Sequence, residues 1–178
     1  MTRYAVLLRA VNVGGRNKVP MASLRGIADE CGYTDVGTYL QSGNLLLSAR
    51  ESPAAVGKAV ADALRDELGV SVEVIVRSLE ELTAVMAANP FPDAVAEPAK
   101  LHVSFLTGPP TQAAAELDRA QFGRDRFALG DRCLYLVYAD GAGRSAMASA
   151  PWERWLGVRG TARNWRTVDA LVGLLAQG

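Results

Sequence analysis

Val36-Gly37-Thr38-Tyr39-Leu40-Gln41-Ser42-Gly43-Asn44-Leu45-Leu46-Leu47-Ser48 reads as a hairpin. Val36–Leu40 forms one strand and Asn44–Ser48 the other, with Gln41-Ser42-Gly43 as the turn. What flanks it decides the fold. Upstream, residues 3–11 are a mostly apolar strand. Pro20 then suits the first turn of a helix, where its missing N–H would be unpaired anyway. Met21, Leu24, Ile27, Ala28 and Cys31 follow at three- and four-residue spacing, and Gly32 can close that helix. Downstream, Ser52-Pro53 opens a second helix with the stripe Val56, Val60, Leu64, Leu68, ended by Gly69. Val70–Val76 is β-branched and reads as a strand. The order βαββαβ over roughly residues 1–77 predicts an α+β fold with a ferredoxin-like N-terminal half. Its antiparallel sheet would have four strands and carry two helices on one face.

Ser78-Leu79-Glu80-Glu81 has the form of a capping box, starting a short helix to about Ala88. Pro90, Pro92 and Pro98 then interrupt the chain. The expected organisation is a ferredoxin-like subdomain over 1–88, a proline-rich connector over 89–99, and a smaller α+β subdomain over 100–178 packing on the first. That second half reads as a strand at Leu101–Leu106, a helix near 111–120, and a hairpin from Arg126–Leu129 and Cys133–Tyr138. A helical turn at Trp152–Trp155 and a terminal helix from Thr167 follow. Its β-α-β-β order matches the first half, which allows a degenerate duplication, although no residue-level similarity supports one.

The 178-residue chain is 49% apolar and 21% charged with zero formal net charge, the profile of a soluble globule. No general field draws it to nucleic acid or membrane, so any such attraction must be local. Sixteen arginines against three lysines reflect genome composition first, or a use for forked anion contacts. Cys31 and Cys133 stand apart and His102 is the single histidine, which leaves no visible metal set and no cofactor to expect. The absence of a signal-like region or a long apolar run points to a cytoplasmic protein without membrane contact.

Three segments could carry chemistry. In the first, Leu7-Leu8-Arg9-Ala10-Val11-Asn12-Val13-Gly14-Gly15-Arg16-Asn17-Lys18-Val19-Pro20, a strand runs through glycines, asparagines and cations into a helix, and no acidic residue precedes Asp29. Backbone N–H groups at Gly14 and Gly15, with Arg9, Arg16, Lys18, Asn12 and Asn17, suit an oxyanion. The spacing is neither a Walker A loop nor a dinucleotide fingerprint, and a plain solvated turn explains it equally. In the second segment, Gln41, Ser42 and Asn44 of the hairpin could add neutral hydrogen-bonding groups at the same end of the sheet, or serve as ordinary turn residues. In the third, Arg163, Asn164 and Trp165 precede a helix. The arginine could pair a phosphate and the indole stack on a base or sugar, or Trp165 could simply anchor the helix.

These segments resemble a bacterial family known as domain of unknown function 1697, whose members carry an LLRGINVGG-type opening, a TYxQSGN hairpin and a TxRNW-type closing segment. Here they read LLRAVNVGG, TYLQSGN and TARNW. The resemblance implies an α+β fold with a ferredoxin-like N-terminal half and no established activity. It also implies that the three segments meet in space. Ala10 stands where the family usually has glycine, which matters if that position needs positive φ.

The favoured function is a site for a small anionic, phosphate- or nucleotide-like ligand. Nucleic-acid binding through the basic loop is the main alternative, although the central strands offer Tyr4 alone as an aromatic platform. An enzyme acting on a phosphorylated substrate by cationic stabilisation, or a protein-interaction module, are further readings.

Overall fold

The computed structural model describes residues 1–177. It has mixed α and β content, with eight strands and five α-helices among those residues. The chain divides into two compact units, residues 1–83 with the stretch from Leu171 onward, and Ala84–Ala170.

In the first unit, β1 (Thr2–Leu8), β2 (Thr34–Tyr39), β3 (Asn44–Ala49) and β4 (Val74–Ser78) form an antiparallel sheet of order β2-β3-β1-β4. Helices α1 (Met21–Glu30) and α2 (Pro53–Leu68) cover one face. Alternation along the strands sends Tyr4, Val6, Leu8, Leu45 and Leu47 to that side, where they pack with Leu24, Ile27, Val56, Val60 and Leu64. Ala5, Leu7, Leu46 and Ile75, on the other face, are buried as well. Ser52 caps α2 through the Ala55 N–H, and Gly69 closes it in the left-handed conformation.

The fourth strand begins later than the β-branched run suggests. Val70 N–H still donates to Leu64 O, finishing the helix, and β1 offers no partner before Leu8 meets Val74. The capping box forms as expected. Glu81 N–H donates to Ser78 Oγ (3.2 Å) and Ser78 N–H to Glu81 Oε2 (2.8 Å), opening α3 (Leu79–Ala87).

In the second unit, β5 (Leu101–Leu106), β6 (Arg126–Gly130), β7 (Cys133–Val137) and β8 (Gly160–Asn164) form a sheet of order β6-β7-β5-β8, the same topology again. The helix expected near 111–120 is instead two 3₁₀ turns, Gln112–Glu116 and Arg119–Phe122. Ala113-Ala114-Ala115 gives almost no apolar ridge, and Asp118 accepts from Ala120 N–H to start a new turn. Short turns and α4 (Trp152–Leu156) stand where the first unit has α2. The strand β8 lies in a segment whose sequence reads only as preceding a helix, and α5 (Trp165–Ala176) starts two residues ahead of Thr167. No helix among the described residues is long and apolar enough to cross a membrane.

Candidate functional site

The loop after β1 is a small finger. Gly14 (φ +58°) and Gly15 (φ +75°) are consecutive left-handed residues at its tip, the pattern of a two-residue hairpin turn. Arg16 N–H donates to Val13 O and Asn12 N–H to Asn17 O, both at 3.1 Å. The glycine pair is thus explained by the turn it makes. Ala10 (φ +54°), Asn12 (φ +55°) and Asn17 (φ +47°) are also left-handed. Asparagine tolerates that region and alanine does so at a cost, so the conformation that glycine would relieve at position 10 is present here.

Asparagine amides hold the finger down. Asn12 Nδ2 donates to Val19 O (3.0 Å) and to Gln41 O (2.7 Å), while its Oδ1 accepts from Val19 N–H (2.9 Å). Asn17 Nδ2 donates to Ala10 O at 3.1 Å. The second bond of Asn12 ties the finger to the β2–β3 turn. That turn is fixed in its own right by Asn44, fully buried, whose Nδ2 donates to Tyr39 O (2.7 Å) and Ser42 Oγ (3.1 Å). Leu8 N–H reaches Gly43 O and Arg9 N–H reaches Glu73 O. Gly43 has φ +83°, and a Cβ there would lie 2.6 Å from Val11 Cγ2 and 2.9 Å from Leu8 Cβ. The finger, the hairpin turn and the approach to β4 therefore meet at one end of the first sheet.

Charge is distributed unevenly over this end. Arg16 and Lys18 are exposed and in no ion pair among the described residues. Arg9 is half-buried beside Glu73 and is engaged within the protein. Val13 (65% exposed) and Leu40 (54% exposed) offer aliphatic surface on the finger and the hairpin. Gln41 is exposed, and Ser42 Oγ is occupied by Asn44. The chain's single imidazole, His102, belongs to β5 of the other unit, so Ser42 has no imidazole base within its own unit.

Residues 9–18 and 41–44 are thus brought together, whereas Arg163, Asn164 and Trp165 belong to the second unit. Arg163 is buried in β8, its Nη1 donating to Thr161 Oγ1 (2.8 Å) and Ala162 O (2.9 Å). Burial lowers its pKa to about 10. Asn164 caps α5, its Oδ1 accepting from Thr167 N–H at 2.9 Å. Trp165 is 6% exposed, and its backbone N–H donates to Pro98 O. The indole anchors a helix start and offers little surface for stacking.

One residue escaped the sequence reading. Arg77 is 3% exposed at the end of β4, its Nη1 donating to Val76 O. It faces Ala5 as Arg163 faces Val103, and each arginine is followed by a capping residue and a helix. The parallel between Val76-Arg77-Ser78-Leu79 and Ala162-Arg163-Asn164-Trp165 was the available signal.

The sequence profile of the family described as "Protein of unknown function (DUF1697)" matches residues 1–135. The solved structure of conserved bacterial protein SP0830 from Streptococcus pneumoniae is similar to this chain, with a TM-score of 0.77, 24% identity and 98% of each chain covered. At that identity the likeness concerns the fold. No curated protein matches the chain.

Proposed function

We propose that this chain, which belongs to the DUF1697 family, binds a small anionic ligand, phosphate- or nucleotide-like, against the Asn12–Lys18 finger. One observation carries the reading. The asparagine amides are turned inward, clamping the loop, while Arg16 and Lys18 stand outside it with no acidic partner among the described residues. The clamp fixes the backbone from which these cations project, so on binding an anion only their side chains remain to be ordered. Val13 and Leu40 offer aliphatic contact to the rest of such a ligand. Gln41 and Ser42 are the neutral groups nearest the clamp. Arg163, Asn164 and Trp165 have structural duties within their own unit, and the proposal does not depend on them.

A thermal-shift panel of inorganic phosphate, mononucleotides and short single-stranded RNA tests this. A ligand at about a hundred times its Kd adds roughly 2.7 kcal/mol, a clear rise in Tm. The expected result is a shift with phosphate or a nucleotide that disappears in Arg16→Ala/Lys18→Ala. A response to RNA alone, steeply reduced by salt, would replace the small ligand by a nucleic acid. A flat panel overturns the proposal.

A further inference from the structure

The opposite end of the first sheet holds a different feature, independent of the finger. An open cleft of about 530 Å³ lies between the start of β1, the β4–α3 junction and the end of α5. Its size falls in the range of about 300–1,000 Å³ usual for small-molecule sites. Three aliphatic side chains, Met1, Leu79 and Leu175, contribute to its lining, together with Arg3 and Glu80.

Arg3 is the anomaly. Its Nε is shut off from water and has no hydrogen-bond partner among the described residues. A ligand in the open cleft does not reach that atom, which is closed even to water; what lines the cleft is the rest of a half-buried Arg3 side chain that is in no hydrogen bond or ion pair among the described residues. A guanidinium presents its donors as a planar fork, and the acceptor that matches the fork is a carboxylate or phosphate. Glu80 supplies the second constraint. Of the two acids in the first turn of α3, Glu81 is spent on the capping box, whereas Glu80 is exposed, in no hydrogen bond or ion pair among the described residues, and on the cleft. Its charge repels a purely anionic ligand and attracts a cationic group. One fork donor, one carboxylate and an aliphatic wall in one cleft define a ligand with both charges and an apolar body.

We infer that this cleft binds a zwitterionic aliphatic amino acid. Its carboxylate is received by Arg3, its ammonium by Glu80, and its side chain packs on Leu79, Leu175 and Met1.

The test is NMR titration of the full chain with L-leucine and with two analogues of the same skeleton, 4-methylpentanoate, which lacks the ammonium, and 3-methylbutylamine, which lacks the carboxylate. Leucine is expected to give saturable shifts centred on Arg3, Leu79, Glu80 and Leu175. Each analogue should bind about tenfold more weakly, the ratio lost with one charge-assisted contact. Glu80→Gln should weaken leucine and bind 4-methylpentanoate as tightly or more tightly, because the charge that repels the lone carboxylate is gone. Arg3→Gln should weaken both. If Arg3→Gln does not fold, the analogues and Glu80→Gln, a change at an exposed position, decide the matter. Absence of saturable shifts with leucine, equal affinity for leucine and 4-methylpentanoate, or indifference to Glu80→Gln overturns the inference.

Discussion

The two sheets share one strand order and differ in what covers them. On β2-β3-β1-β4 lie a ten-residue and a sixteen-residue helix, each with a continuous apolar stripe. On β6-β7-β5-β8 the corresponding connections are 3₁₀ turns and a five-residue helix. Aromatic rings take over there. Phe122, Phe127, Trp152 and Trp155 stack in edge and tilted contacts with centroids 5.1 to 6.2 Å apart, and the first three pack against Leu134, Leu136 and Met147. The comparison teaches that strand order does not require whole helices above it. A few large side chains bury a sheet face that helices would otherwise cover, because a fully buried aromatic such as Phe127 removes about 150–250 Å² from water and the half-buried Phe122 and Trp152 pack around it.

The units also treat their hairpins differently, and this offers the largest test. In the first, Gly43 combines a left-handed φ with a Cβ position inside Val11 and Leu8. In the second, a Cβ on Gly130 would crowd Cys133 Sγ (2.5 Å) and Tyr135 Cε2 (2.8 Å), without positive φ. Gly43→Ala should therefore cost about 3 kcal/mol, strain and overpacking together, and Gly130→Ala less, from overpacking alone. Urea unfolding of both variants measures this, and equal losses would break the distinction.

Next in size are the two helix starts where the units agree. Ser78→Ala and Asn164→Ala each remove the cap that follows a buried arginine, and each should cost about 1 kcal/mol. Unequal costs in thermal unfolding would show that the two strand–helix junctions are alike in geometry only.

Ala10→Gly is a smaller change of opposite sign. Relief of the left-handed alanine outweighs the added freedom of the unfolded chain, for a gain of about 0.5 kcal/mol. A loss in urea unfolding would mean that the methyl group at position 10 is needed.

The last test is silent at neutral pH. His102, on β5, has a buried Nδ1 without a partner and meets Tyr138 edge-on at 5.1 Å. Burial lowers its pKa below the ordinary 6.5, with the Lys100 carbonyl opposing. Burial foremost, and then the charge of Asp125, pushes the neighbouring Tyr138 up to about 12, so that phenol stays neutral throughout. The unfolded chain takes the His102 proton more readily than the folded one. Stability should thus hold above about pH 6.5 and fall as pH drops through that value toward the folded pKa. Melting curves between pH 5 and 8 should show this slope in the native chain and a weaker one in His102→Gln. An unchanged slope would remove the assignment.

Local patterns made the first half legible. The stripes of α1 and α2, the Ser52 cap, the capping box at Ser78 and the turn at Gln41-Ser42-Gly43 all depend on neighbours a few residues apart, so each can be read along the chain. The strand β8 could not. Its Gly-Thr-Ala-Arg-Asn sequence has little strand character and becomes a strand by pairing with β5 some sixty residues earlier. The missing helix at 111–120 is the converse, where an alanine-rich stretch had no apolar face to hold it.

The candidate site divides in the same way. The sequence by itself determined that cations, glycines and asparagines cluster after β1; its βαββαβ order allowed the hairpin turn at that end of the sheet, and the bonds from Asn12 to Gln41 O and from Leu8 to Gly43 O put it there. Tertiary structure alone decided their duties. Asn12 and Asn44 became clamps because backbone carbonyls of Gln41 and Tyr39 came within reach, and Arg163 became a buried strand residue because β8 joined a sheet. A side chain's chemistry is written in its residue type. Whether it faces its own protein or a ligand depends on which distant backbone groups need a partner, and that is settled only when the chain has folded.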